Sequence, residues 1–242
     1  MSERGKRAGG FGTAERGVVM NPAPVSRRAR PAKAPLSRDV IIETGLRVLD
    51  QDGQAALTMR RVAQELDTGA ASLYVYVANR DDLMAAMLDH VLGTIEEPTG
   101  GTWRERLFAL VEAAVVAMSR HEGLALVALG AIPTGTNALV LVDRMLALLA
   151  EGGVDERTNS WAVDLLFLHI TAVAAEQSAY NTKGMRAEAH LAEVRERFAA
   201  LPAERYPMIV ALGDTMMSGE GDQRARWALR VLIEGILATP AT

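Results

Sequence analysis

The sequence predicts an all-α fold, and three observations carry that prediction. Apolar residues recur at helical spacing throughout the chain after residue 36, and clusters of Gly or Pro punctuate them. No stretch after residue 36 reads as a strand. Apolar residues make up 49% and charged residues 23% of the 242, ordinary globular proportions that suit one large domain or two smaller ones. The predicted organisation is a basic tail over 1–36, a three-helix unit over 37–96 and a larger helical domain over 102–240.

Each element has its own local reason. Ser37 is a good N-cap, and Ile42, Leu46 and Leu49 share one face of a helix that runs to Asp50, where Gln51-Asp52-Gly53 ends it. A second helix starts after Thr58 and turns Val62, Ala63 and Leu66 inward. Asp67-Thr68-Gly69 reads as a tight turn, followed by a short helix from Ala70 to Tyr76. Asn79 then caps a helix from Arg80 to Ile95. Pro98-Thr99-Gly100-Gly101 breaks the chain, and further helices are predicted over 102–121, 136–151, 155–181, 185–200, 203–217 and 222–238.

Charge is unevenly spread. The net charge is −4, yet residues 1–36 hold eight basic residues against Glu3 and Glu15, a net +6, which leaves −10 for the rest. A Gly/Pro/Arg-rich segment with few bulky apolar residues cannot build a core, so the tail is predicted to be disordered. Two readings of it stay open: a solvating tail, as a start upstream of Met20 would give, or a basic arm that touches nucleic acid.

Several function classes are excluded. The chain has no cysteine, which removes disulfides, thiolate nucleophiles and Cys-based zinc sites. Val18-Val19-Met20 is too short for a signal core. The run from Trp161 to Ala175 contains Asp164, His169 and Thr171, and is too short and too polar to span a bilayer. A cytoplasmic location without membrane partners is expected. His90, His121 and His190 show no metal-ligand spacing, and neither HExxH nor DDxxD occurs, so no metal, cofactor or catalytic group is predicted.

Residues 58–77 have the spacing of a helix-turn-helix: two short helices, a turn containing Gly, and inward residues Val62, Ala63, Leu66, Leu73 and Val77 that meet Leu46 and Leu49. In such a unit the N-terminal end of the second helix meets base edges in the major groove. Gly69, Ala70, Ala71 and Ser72 are small enough to permit that approach, and Ser72 offers a hydroxyl. Tyr74 and Tyr76 lie about 200° apart on a helix, so one core cannot bury both, and their hydroxyls can reach phosphates. The other reading is an ordinary helical hairpin whose tyrosines half-bury.

The segment from Leu36 to Ile95 closely resembles the N-terminal domain of the tetracycline-repressor (TetR) family of bacterial regulators. Ala56-Leu57-Thr58-Met59-Arg60-Arg61-Val62-Ala63, Ser72-Leu73-Tyr74 and Val77-Ala78-Asn79-Arg80-Asp81-Asp82-Leu83 carry the likeness. It implies DNA contacts from Thr58 and Arg60 on the second helix, and from Tyr74, Tyr76 and Arg80 on the third helix and its exit. Trp103 to Leu237 resembles, more loosely, the family's ligand-binding and dimerisation domain through Gly130-Ala131-Ile132-Pro133, Asn137-Ala138-Leu139 and Ser160-Trp161-Ala162-Val163-Asp164-Leu165-Leu166. Tetracycline-binding members hold the drug's magnesium with a histidine that aligns with Ala128 here and contact the drug with a second that aligns near Glu96, which argues against that ligand.

The helix over 155–181 is apolar almost all round between Trp161 and Ala175, so one side is expected to face a core or pocket and the other a partner chain. Trp161, Leu165, His169 and Gln177 are the candidate ligand contacts. Trp227, Val231 and Gly235, at four-residue spacing, are the candidate dimer contacts, and with the 155–181 helix they would build a four-helix bundle from two chains. The expected function is that of a homodimeric repressor on a pseudo-palindromic double-stranded operator, released by a small, largely apolar ligand. The alternatives are a DNA-binding regulator that needs no ligand, and an all-helical enzyme or carrier.

Overall fold

The computed structural model describes residues 35–130, 134–183, 185–219 and 223–241. Almost all of the predicted tail and the Ala131-Ile132-Pro133 loop lie outside them. Eleven helices and no strands are present among the described residues. Leu36–Thr242 forms one compact unit.

The first four helices are set by their caps. Helix α1 (Arg38–Asp52) starts where the Ser37 side chain accepts from Val40 N, and ends at Gly53, whose φ of 80° lies in the left-handed region. Thr58 caps α2 (Met59–Glu65) by accepting from Arg61 N. The turn to α3 (Ala70–Leu73) contains one left-handed residue, and it is Asp67 at φ 49°. Gly69 is instead the extended N-cap of α3 at φ −82°. Helix α3 is one turn long: Tyr74 still has helical angles, but from there to Tyr76 the chain continues as turns and not as the longer helix expected. Asn79 caps α4 (Arg80–Leu92) and accepts from Asp82 N.

The remaining helices are α5 (Trp103–Ser119), α6 (Leu124–Gly130), α7 (Thr136–Glu151), α8 (Glu156–Lys183), α9 (Met185–Ala199), α10 (Pro207–Met216) and α11 (Gln223–Ala238). Thr102 and Glu105 form a capping box on α5, and the Thr102 backbone and hydroxyl hold the Glu105 carboxyl below its ordinary range. Asp155 accepts from Arg157 N and Thr158 N to start α8. Two expectations change. Helix α10 begins at Pro207 and not at 203, because proline lacks the N–H that a helix interior needs, and Tyr206 before it stays non-helical at φ −130° and ψ 53°. Helix α6 is absent from the predicted elements; it is a short apolar segment between Gly123, at φ 80°, and the loop before α7.

One continuous apolar core runs from Ile41 to Ile236. Val62, Ala63, Leu73, Val77 and Leu49 are buried in its first section, as expected of a helix-turn-helix, with Leu46 and Leu66 packed against them. Helix α4 joins the two ends of the molecule, since it packs on α1 and also on α5, α6 and α7. No single described helix is long and apolar enough to cross a membrane. The pair α5 and α6 reaches that length only together, across a bend of 115°, with most of its apolar residues in the core.

Candidate nucleic-acid interface and ligand cavity

The short α3 and the turn behind it make an exposed ridge. Tyr74 is 53% exposed, Val75 80% and Tyr76 37%, while their neighbours Leu73 and Val77 are buried. Leu73 and Val77 are the two anchors, and the three residues between them must point outward in three directions. The pattern of tyrosines does not single out Val75, yet it is the most exposed large apolar residue of the ridge. Ala71 is exposed, and Ala70 and Ser72 are half-buried beside it. A Cβ added at Gly69 would meet nothing within 4 Å, so contacts inside the chain do not require glycine at this position.

The hydroxyl and cationic groups of the site divide into occupied and available ones. Arg60 on α2 is exposed, and the Tyr74 hydroxyl makes no hydrogen bond among the described residues. Both are available to phosphates. Arg61, its neighbour, is held by Asp52 at 2.9 Å and Glu65 at 2.7 Å. Thr58 Oγ1 serves as the N-cap. The Tyr76 hydroxyl donates to Leu36 O at 2.8 Å and so ties the ridge to the start of α1.

Arg80 departs furthest from expectation. Its Nε donates to Leu57 O at 2.8 Å and its Nη2 to Gln54 O at 3.0 Å. The guanidinium therefore braces the loop between α1 and α2. The same loop is held by the α5–α6 turn, where Glu122 accepts from Gln54 N at 3.3 Å, and His121 of that turn pairs with Asp50 at the end of α1 at 2.7 Å.

A second contact ties the far end of α4 into the bundle. Asp89 accepts from the N–H groups of Asn137 at 2.9 Å and Ala138 at 3.0 Å, at the start of α7, and Asn137 Nδ2 donates back to Asp89 O at 3.0 Å. A carboxylate on these N–H groups satisfies donors that the helix cannot, and it favours the positive end of the helix dipole. The approach is close enough to demand glycine on both sides: a Cβ at Gly135 would lie 2.1 Å from Asp89 Oδ1, and one at Gly93 would lie 2.6 Å from Asn137 Nδ2.

The four candidate ligand residues separate. His169 and Gln177 line a cavity of about 90 Å³ with Val111, Val115 and Val173, closed on one side by Glu112 of α5 and Arg226 of α11. His169 is half-buried, and desolvation lowers its pKa below the ordinary 6.5, so its ring is neutral at pH 7. Trp161 and Leu165 lie elsewhere, in a wide groove of about 600 Å³ with Val231 and Gly235. The reason is helical phase: residues 161, 165 and 168 point to one side of α8, and 169, 173 and 177 to another. Glu112 and Arg226 belong to the cavity without any signal in the sequence, because their pairing joins helices that are 114 residues apart.

The groove side is apolar and open. Trp161 is 59% exposed, Leu168 52%, Trp227 66% and Val231 50%, and a Cβ at Gly235 would meet nothing within 4 Å. Ala128 is a buried methyl group, and Glu96 is exposed. Among the described residues no group of three His, Asp or Glu side chains is placed to hold a metal ion.

Known proteins share both halves of this arrangement. Residues 41–87 match the family described as bacterial regulatory proteins, tetR family, and residues 96–239 match the tetracyclin repressor-like C-terminal domain. ActR from Streptomyces coelicolor, solved in complex with actinorhodin, is 36% identical; the match covers 85% of this chain and 97% of that one, with a TM-score of 0.77. The HTH-type transcriptional repressor DrrR1 of Streptomyces coeruleorubidus is 29% identical over 86% of this chain and 82% of its own. The class D tetracycline repressor protein of Escherichia coli is 25% identical over 84% of this chain and 89% of its own. The chain belongs to the TetR family of bacterial regulatory proteins: it is a DNA-binding transcriptional regulator and not an enzyme.

Proposed function

We propose that this regulator works in the cytoplasm as a homodimeric repressor, binds a pseudo-palindromic operator, and leaves it when a small, largely apolar molecule enters the helical bundle. The observation that carries this reading is the double engagement of α4. Arg80 in its first turn braces the helix-turn-helix loop, and Asp89 near its last turn caps α7. A rearrangement of the bundle thus reaches the DNA-facing end through a single helix. ActR has been solved with actinorhodin and with (S)-DNPA, which supports an organic ligand here, of unassigned identity.

The division into a DNA-binding domain over 37–96 and a ligand-binding and dimerisation domain over 102–240 is supported by the separate family matches to 41–87 and 96–239. Thr58, Arg60, Ala70, Ala71, Ser72 and Tyr74 are the proposed DNA contacts, with Tyr76 and Arg80 acting mainly by holding the ridge in place. The exposed apolar faces of α8 and α11 support a dimer, since a patch with two tryptophans is costly to leave in water. Two copies would set their ridges in successive major grooves, about 34–36 Å apart or a multiple of that. The ligand must bind the non-DNA state more tightly, because equal affinity shifts nothing.

The small cavity favours one competing reading, a regulator that needs no ligand. Capture of sheared genomic DNA on the full-length protein gives the operator, and the genes beside it indicate candidate molecules. Fluorescence anisotropy of that operator then separates the readings. Release by an apolar organic compound is expected; retention against every candidate would favour ligand-independent control.

A further inference from the structure

Helix α11 packs closely on α8 and reaches α5 through two ion pairs. Arg104 Nη1 lies 2.7 Å from Glu234 Oε1, and Arg226 Nε lies 2.7 Å from Glu112 Oε1. Eight residues separate the two partners on each helix, in opposite directions, so the pairs lie about 12 Å apart along antiparallel axes. The second pair forms part of the cavity's lining. The cavity's volume of about 90 Å³ is well below the ~300–1,000 Å³ of sites that enclose an organic ligand. A larger ligand requires the cavity to widen, and an exposed ion pair such as this one resists parting only weakly in water.

The two charges of this pair are not equivalent. The Arg226 side chain is 58% exposed and Glu112 34%, so the guanidinium is the outer group and meets an incoming molecule first. Among the described residues only its Nε is engaged, and the fork carries four further N–H donors. Arg226 also stands in the first turn of α11, where the helix dipole adds positive potential. An incoming cation would have to pass this charge to reach Glu112. Deeper in, the walls are Val111, Val115, Val173 and Leu229.

We propose that the α5–α11 seam is the opening of the ligand cavity, and that Arg226 selects an apolar molecule bearing one anionic group, which displaces Glu112 from it. The proposal rests on the reading that this cavity receives the ligand, and the test separates the two.

Anilinonaphthalene sulfonate and phenylnaphthylamine share their rings and differ by the anionic group. Both are titrated by fluorescence into full-length wild type, Arg226→Gln, Glu112→Gln and Val173→Trp, with operator binding as the check that each is folded. The wild type should bind the sulfonate roughly tenfold more tightly, the scale of one charge-assisted hydrogen bond. Arg226→Gln should erase that difference, Glu112→Gln should widen it, and Val173→Trp, which fills the cavity, should remove both probes. Equal binding of the two probes in wild type and Arg226→Gln, with both lost in Val173→Trp, would leave the cavity in place and overturn the selection by charge. Probes that fail to bind, or that bind unchanged to Val173→Trp, would overturn the cavity reading and this proposal together.

Discussion

Single residues around the exposed ridge are proposed to do two different jobs, and mutation should separate them. Arg60 is an exposed cation, so Arg60→Ala should leave the melting temperature unchanged, weaken binding to all sequences alike, and reduce the slope of log affinity against log salt by about 1. Arg80→Ala should behave otherwise. It strips charged donors from the carbonyls of Gln54 and Leu57, a loss of about 1.5–3 kcal/mol for such bonds, so thermal unfolding should come at a lower temperature even without DNA. A salt slope reduced by Arg80→Ala with no loss of thermal stability would show that the guanidinium serves phosphate instead. His169 adds a pH dependence. Its folded-state pKa is lowered by desolvation, so the unfolded chain binds the proton more readily. Stability is complete above the ordinary histidine value and falls as pH drops below it. Between about pH 7.5 and about pH 5 the wild type should therefore lose more thermal stability than His169→Gln does.

At the scale of elements, the caps were the most legible feature. Ser37 and Asn79, read as caps, each accept a backbone N–H at a helix start, and the second helix begins after Thr58 as expected, because capping is local and depends on a few adjacent residues. Phase on one long helix was less legible. Trp161 and His169 are both on α8 and both are flanked by apolar residues, but which side meets a cavity and which meets solvent depends on α5 and α11. Those helices lie far away in sequence. Helix α6 was hidden for a related reason: Leu124–Gly130 is seven residues long, with no side-chain cap, and a short apolar run has no period to read. The α8–α11 face carries its own prediction. Gly235→Leu fills the open groove beside Val231, and light scattering should show monomers that bind operator poorly. Since nothing in the same chain lies within 4 Å of that Cβ, the fold itself should be unaffected. A stable dimer of the variant would place the interface elsewhere.

For the whole molecule, the distribution of charge matters more than any one contact. The first 36 residues carry a net +6 against −10 for the rest. A chain starting at Pro35 should bind operator and random DNA more weakly by similar factors, with a shallower salt dependence, because a basic segment neutralises phosphates without holding a bidentate geometry against one base. Loss of discrimination between the two DNAs on truncation would mean that the arm reads bases, with Arg28 or Arg30 in a minor groove.

The clamp of Asp89 on α7 also has a consequence in leverage. Helix α4 is 13 residues long, a rod of about 20 Å. If Asp89 is the fulcrum, Arg80 stands nine residues away, about 13.5 Å, and a tilt of about 5° displaces it by roughly 1.2 Å. In the proposed dimer, two symmetric copies tilting in opposite senses would change the separation of their ridges by roughly 2.4 Å, about a fifteenth of the groove repeat. Gly93 and Gly135, which keep the fulcrum tight, thereby set the gearing between a small internal movement and the spacing that the operator demands.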